Sequence, residues 1–288
     1  TVTEYAMEGE KRLHLGLMIS MIVVWSAIGT IVGTVPFFGY EFSAIGLLLM
    51  AGFGIWLGEN WIPNERMHLL GVTWVIISMK LLYGLAISAY SWGWIGDTEL
   101  GLALLGLVGV NIAIAQHHDE DSIAAQAALV LLAIGSAAGA TYGQEGVAVM
   151  IGLGTLLLHG LAYFRKSGNL ASLGIAVTYL WIGLHAISND WVLFGINIIP
   201  FEDELLLFLL MFGVTGINAI MATRFAEAEN WFSLAFKGMG LGKPGLWSVS
   251  VGLGMVGALL AIASNRLETG YAIAQIILLI SAFGPSYL

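Results

Sequence analysis

A chain of 288 residues with 58% hydrophobic and only 10% charged side chains, and a mean hydropathy of +0.88, lies far from soluble domains, in which about a quarter of residues are charged. The formal charge of −9, from 19 acids against 10 Lys and Arg, excludes a nucleic-acid-binding surface, and the absence of cysteine excludes disulfides and thiolate metal sites. The composition is that of a protein made for lipid.

A helix needs roughly 20 apolar residues to cross a bilayer. Ten stretches qualify: 13–36, 42–61, 69–92, 99–116, 122–141, 145–164, 171–190, 204–223, 246–264 and 269–286. They are apolar throughout instead of alternating, which excludes a transmembrane β-barrel. The expected fold is all-α: one polytopic transmembrane helix bundle of about ten spans over residues 1–288. An Ala-Ile-small signature recurs at Ala27-Ile28-Gly29, Ala86-Ile87-Ser88, Ala133-Ile134-Gly135, Ala186-Ile187-Ser188 and Ala261-Ile262-Ala263. Each copy precedes a turn, an acid and a second apolar run, so the spans group as five helical-hairpin repeats at about 13–66, 69–121, 122–168, 169–230 and 245–288. These repeats run in the same direction, unlike the inverted halves common in secondary transporters.

In the first hairpin, Lys11 and Arg12 precede an apolar run too long for a signal peptide and without a small-residue cleavage site, so it is taken as the first span. Gly29/Gly33 and Gly54/Gly58, with Gly135/Gly139 further on, are small-xxx-small pairs that predict close helix packing. Glu59, near the inner end of its span, is expected to reach headgroups or pair with Arg66.

The second hairpin carries Lys80, about 15 Å from either interface at 1.5 Å per residue. A charge at that depth costs upward of ~2.5 kcal/mol, so it faces protein or water, pairs, or loses its proton. Asp190, Glu145 and His185 are its candidate partners. A functional role and a structural contact to carbonyls both stand open. Asn111 in this hairpin and Asn218 in the fourth lie in similar Gly-x-Asn contexts; they either bond between helices or line a polar pathway. The run His117-His118-Asp119-Glu120-Asp121 has metal-ligand chemistry, but adjacent residues seldom converge on one ion. A solvated loop is expected, and no metal site.

His159 and His185 lie inside apolar spans, where an imidazole is more often a packing residue than a ligand or proton carrier. Asp190 and Arg266 close matching helices after Ser188-Asn189 and Ser264-Asn265, a pattern that suggests an ion pair. Residues 191–203 form a long turn placed either at the interface or dipping back into the membrane. Residues 225–239 put Ala228, Trp231, Phe232, Ala235, Phe236 and Met239 opposite Glu227, Asn230, Ser233 and Lys237, the pattern of an amphipathic interfacial helix. Gly252, Gly254 and Gly257 spell GxGxxG, but inside an apolar span they predict helix packing and not a nucleotide loop. No catalytic motif assembles a nucleophile with a base, and no motif names a cofactor.

Basic residues concentrate in the tail and the loops between hairpins (Lys11, Arg12, Arg66, Arg165, Lys166, Arg224, Lys237, Lys243), against Arg266 alone in the turns within hairpins. The positive-inside rule therefore predicts an integral, multi-pass protein with both termini cytoplasmic. The opposite side carries Glu41, Glu99, Glu145, Glu204 and Glu268, one per repeat, joined by Asp97, Asp190, Glu202 and Asp203. Acids at helix starts complement the helix dipole; a ring of carboxylates instead concentrates cations. In length, span number and predicted termini the chain resembles the drug/metabolite transporter superfamily, and its glycine-rich hairpins resemble those of HdeD-type membrane proteins. Neither family's residue motif is present, so no functional residue carries over.

Two functions follow as expectations. One is a transporter or channel for a cation or small cationic solute, with Lys80, Asn111, Asn218, His185 and Asp190 as pathway residues. The other is a non-catalytic structural or accessory subunit of a larger membrane complex. Membrane lipid and either protein subunits or further copies of the chain are the expected partners.

Overall fold

The computed structural model describes residues 2–34, 39–193, 196–240, 242 and 244–283. Ten α-helices are assigned among them: α1 (Val2–Thr34), α2 (Tyr40–Trp61), α3 (His68–Ser91), α4 (Asp97–His118), α5 (Asp121–Arg165), α6 (Gly168–Ile187), α7 (Glu204–Arg224), α8 (Trp231–Gly238), α9 (Leu246–Ala263) and α10 (Thr269–Phe283). Two short strands, β1 (Trp191–Leu193) and β2 (Ile196–Ile198), lie between α6 and α7. Among the described residues, eight helices are long and apolar enough to cross a membrane. The segments Asp121–Gly135 and Thr269–Ser281 are apolar but shorter. The chain is thus a helical bundle built like a multi-pass membrane protein.

The single helix α5 stands where two spans were expected. Gly143, at φ 66° and ψ −163°, breaks it at a conformation that suits only glycine. A Cβ on Gly135 would lie 2.8 Å from Met150 Cβ, and one on Gly154 would lie 2.9 Å from a Leu132 methyl. Both pairs are centred on position 143, so the two arms fold back on each other as an antiparallel pair.

The chain divides into two compact units, Thr1–Ala127 and Ala128–Leu288. In the first, the closest pairing is α2 with α3, across the loop between two expected hairpins. Gly54 backs onto Ser78 and Trp74, and Gly58 onto Val75 and the Gly71 carbonyl. A Cβ on Gly71 would lie 2.6 Å from the Ile62 backbone nitrogen. Small residues thus allow backbone to approach backbone. Gly29 of α1 receives Leu81, which packs with Leu47 and Ala51. The surroundings of Gly139 lie outside the described residues, as do Phe194, Gly195 and Lys243 and the side chains of Lys11 and Arg12.

In the second unit α6 is largely buried, and its core joins Val147, Ile151, Ile182, Ala186, Leu207, Met211 and Ala258. Gly254 of the GxGxxG run faces Leu279 and Tyr179, which is helix packing as expected. The long turn after α6 is a β-ribbon, with Trp191 paired to Ile198 and Val192 to Asn197. Ser188 anchors it: its hydroxyl accepts from Trp191 N at 3.1 Å and donates to the Ile198 carbonyl. The interfacial helix is shorter than its apolar stripe predicted. It begins at Trp231 because Asn230 caps it, its Oδ1 accepting from Ser233 N at 2.9 Å, while residues 225–229 turn instead of coiling.

Candidate functional site

Lys80 lies midway along α3 and is exposed, although most of that helix is buried. It falls on the same stripe as the exposed Leu69 and Ile87. Its side chain makes no hydrogen bond or ion pair among the described residues.

Beside it runs a buried polar cluster. Asn111, fully buried on α4, donates through Nδ2 to Tyr83 Oη of α3 at 3.3 Å and to Gln126 Oε1 of α5 at 3.2 Å. Gln126 in turn donates to the Ile76 carbonyl at 2.8 Å. Ile76 and Tyr83 lie one turn before and one turn after Lys80, so the lysine stands at the edge of this network. Asn111 Oδ1 has no partner among the described residues.

The second unit holds a cluster of its own. His159 of α5 lies 2.7 Å through Nε2 from Asn218 Oδ1 of α7, and Asn218 Nδ2 donates to Thr178 Oγ1 of α6 at 3.2 Å. The amide's orientation assigns the ring hydrogen to Nε2. One turn before Asn218, Thr215 accepts from Tyr179 at 3.2 Å and from Gln275 of α10 at 2.6 Å. The belt ties four helices together with neutral groups.

His185 is fully buried, with Nδ1 2.7 Å from the Ile199 carbonyl. Asp190 adopts φ 54°, a turn conformation that Asn and Asp tolerate better than most residues. Arg266 reaches the Ser188 carbonyl at 3.5 Å and Asn189 Oδ1 at 3.4 Å, instead of forming the expected ion pair with Asp190. The chain reaches αL one residue earlier at Asn265 than at Asp190, so the two positions do not match in geometry.

The five repeat acids stand at helix starts. Glu99 Oε2 accepts from Gly96 N at 3.0 Å, which satisfies one free donor at the start of α4. The carboxylates of Glu41 and Glu145 fold back over Gly39 and Gly143, each 3.2 Å from where a Cβ would stand. Glu204 opens α7 behind its cap, Asp203, and Glu268 immediately precedes α10. These placements fit complementing of the helix dipole.

A further cluster gathers where α2 and α4 end and α3 and α5 begin. Glu59 Oε1 lies 2.9 Å from His118 Nε2 and not on Arg66, whose backbone nitrogen is taken by Asn64. His117 completes a trio whose donor atoms all lie within 4.8 Å of one another. His68 has Nδ1 at 2.8 Å from the Ile62 carbonyl and Nε2 at 2.9 Å from Glu120 Oε1. The run at 117–121 is therefore bound to neighbouring helix ends rather than solvated throughout. The only sequence signal for this cluster was the His-His pair itself, because Glu59 is 58 residues away along the chain.

No family model, curated protein or solved structure matches this chain.

Proposed function

We propose that this protein is a non-catalytic structural or accessory subunit of a larger membrane complex, crossing the bilayer ten times as five hairpins with both termini cytoplasmic. The observation that carries this reading is Lys80, exposed at mid-depth on α3. A bare charge facing lipid there is costly, and a partner that covers it removes the cost. Every acid in the sequence lies near a span end or in a loop, so a second copy of the chain offers no carboxylate at that depth. The partner is therefore a helix of a different chain with an Asp or Glu near its middle.

Two further observations favour a scaffold over a cation carrier. The side chains of Asn111, Asn218 and His185 are buried and hydrogen-bonded to other groups of the chain. A lysine at mid-depth also repels the cation that an acidic entrance would attract. Native mass spectrometry of the protein extracted from its own membranes tests the proposal. A stoichiometric second chain, lost in Lys80→Met and kept in Lys80→Arg, is the expected result. A protein purified alone that drives a Lys80-dependent cation flux in vesicles overturns it.

A further inference from the structure

We propose that Glu59, His117 and His118 form a binding site for a divalent transition-metal ion of the zinc type, clipping the end of α2 to the end of α4. One donor atom from each residue lies within 4.8 Å of the other two, and Glu59 and His118 already meet at 2.9 Å. A tetrahedral ion about 2.0–2.2 Å from each donor holds the donors about 3.3–3.6 Å apart, so the widest pair closes by up to about 1.5 Å and the Glu59–His118 pair opens by a few tenths of an ångström. Rotation of the exposed Glu59 and His117 side chains supplies these shifts around the His118 ring, which is largely enclosed.

The donor set selects the ion. Two imidazoles and one carboxylate suit zinc and its neighbours, whereas magnesium and calcium take oxygen ligands. Three protein ligands also leave a fourth tetrahedral position open.

The field at this end favours a cation as well. Glu59 lies in the last turn of α2 and the two histidines in the last turn of α4, where each helix presents the negative end of its dipole. A carboxylate at such an end is poorly placed by itself; a dication shared between the two ends neutralises both. The last turn of α4 is closed by Asp119, whose left-handed backbone brings the Glu120 N–H onto the Ala115 carbonyl at 2.9 Å. That fixes where both rings start.

A plain contact between Glu59 and His118 is the competing account, and it has no use for His117. His68 serves as the internal control, since both of its nitrogens are already engaged by Ile62 and Glu120.

The test uses the full chain in mild detergent, stripped with chelator and titrated with Zn2+ and with Co2+, following metal content by mass spectrometry and the visible absorption of cobalt. One equivalent per chain is expected. His117→Ala, His118→Ala and Glu59→Gln should each weaken binding by more than about a hundredfold, beyond the roughly 10–100-fold that outer-shell substitutions typically cost, and His68→Ala should leave it unchanged. His117→Asn and Glu59→Asp carry the same test where an alanine or amide variant does not purify as a single species. No stoichiometric uptake by the wild-type chain, or uptake indifferent to His117, overturns the proposal.

Discussion

His159 Nε2 and Asn218 Oδ1 lie 2.7 Å apart inside the second unit, joining α5 to α7. Removing one member leaves a buried polar atom of the other without its partner, at a cost of about 1–3 kcal/mol. Removing both costs less than the sum of the two single losses. A double-mutant cycle with His159→Phe and Asn218→Leu, read by unfolding in bicelles, should therefore show a coupling of about 0.6–1.7 kcal/mol. Additive effects would mean that the contact contributes nothing.

Two glycines of α3 should respond in opposite ways to the same substitution. A Cβ at Gly71 runs into the Ile62 nitrogen at 2.6 Å, and backbone cannot step aside. Gly71→Ala should destabilise by about 1–3 kcal/mol. At Gly84 nothing lies within 4 Å, so Gly84→Ala should stabilise by about 0.5–1 kcal/mol through lower chain entropy in the unfolded state. Thermal unfolding of the two variants side by side checks the sign.

Gly174→Ala should act through a neighbour. Its Cβ would stand 2.7 Å from His159 Cε1, displacing the ring that reaches Asn218. The loss should approach that of His159→Phe, and combining the two should add little. Full additivity in melting temperature would separate the glycine from the polar belt.

Asn230→Ala removes the side-chain acceptor that starts α8. A cost of about 0.5–2 kcal/mol is typical of such caps. Locally, the 225–245 segment should become easier to cleave by limited proteolysis while the core helices keep their protection from hydrogen exchange. Unchanged cleavage would remove the cap from the account of this helix.

Lys80→Leu should make the isolated chain more stable in a bilayer, because it removes a charge whose cost at mid-depth is about 2.5 kcal/mol or more. A destabilised variant would mean that the lysine has a partner within its own chain.

The sequence made the membrane class and most helices legible because twenty apolar residues leave few alternatives in lipid. The break between the spans 122–141 and 145–164 is legible because Gln144 and Glu145 interrupt the apolar run, although nothing singles out Gly143 as the residue that makes it. The β-ribbon at Trp191–Ile198 was not foreseen, since three-residue strands carry no periodicity of their own. Helix partners were harder still. The hairpin grouping put α2 with α1, whereas Gly54, Gly58 and Gly71 bring it closest to α3. Asn111 and Asn218 could be singled out as costly, but Gln126, Tyr83 and Thr178 look ordinary until the fold brings them near. The meeting of Glu59 with His118 was beyond reach for the same reason: a contact 59 positions apart leaves no local pattern.

The glycine seam between α2 and α3 has a mechanical consequence. Where main chain lies against main chain, neither an acyl tail nor a file of water has room to enter, and sliding would require the whole ridge to lift. Over residues 54–62 and 71–78 the two helices should therefore move as one stiff unit, so a push delivered at Glu59 shifts the start of α3 with it.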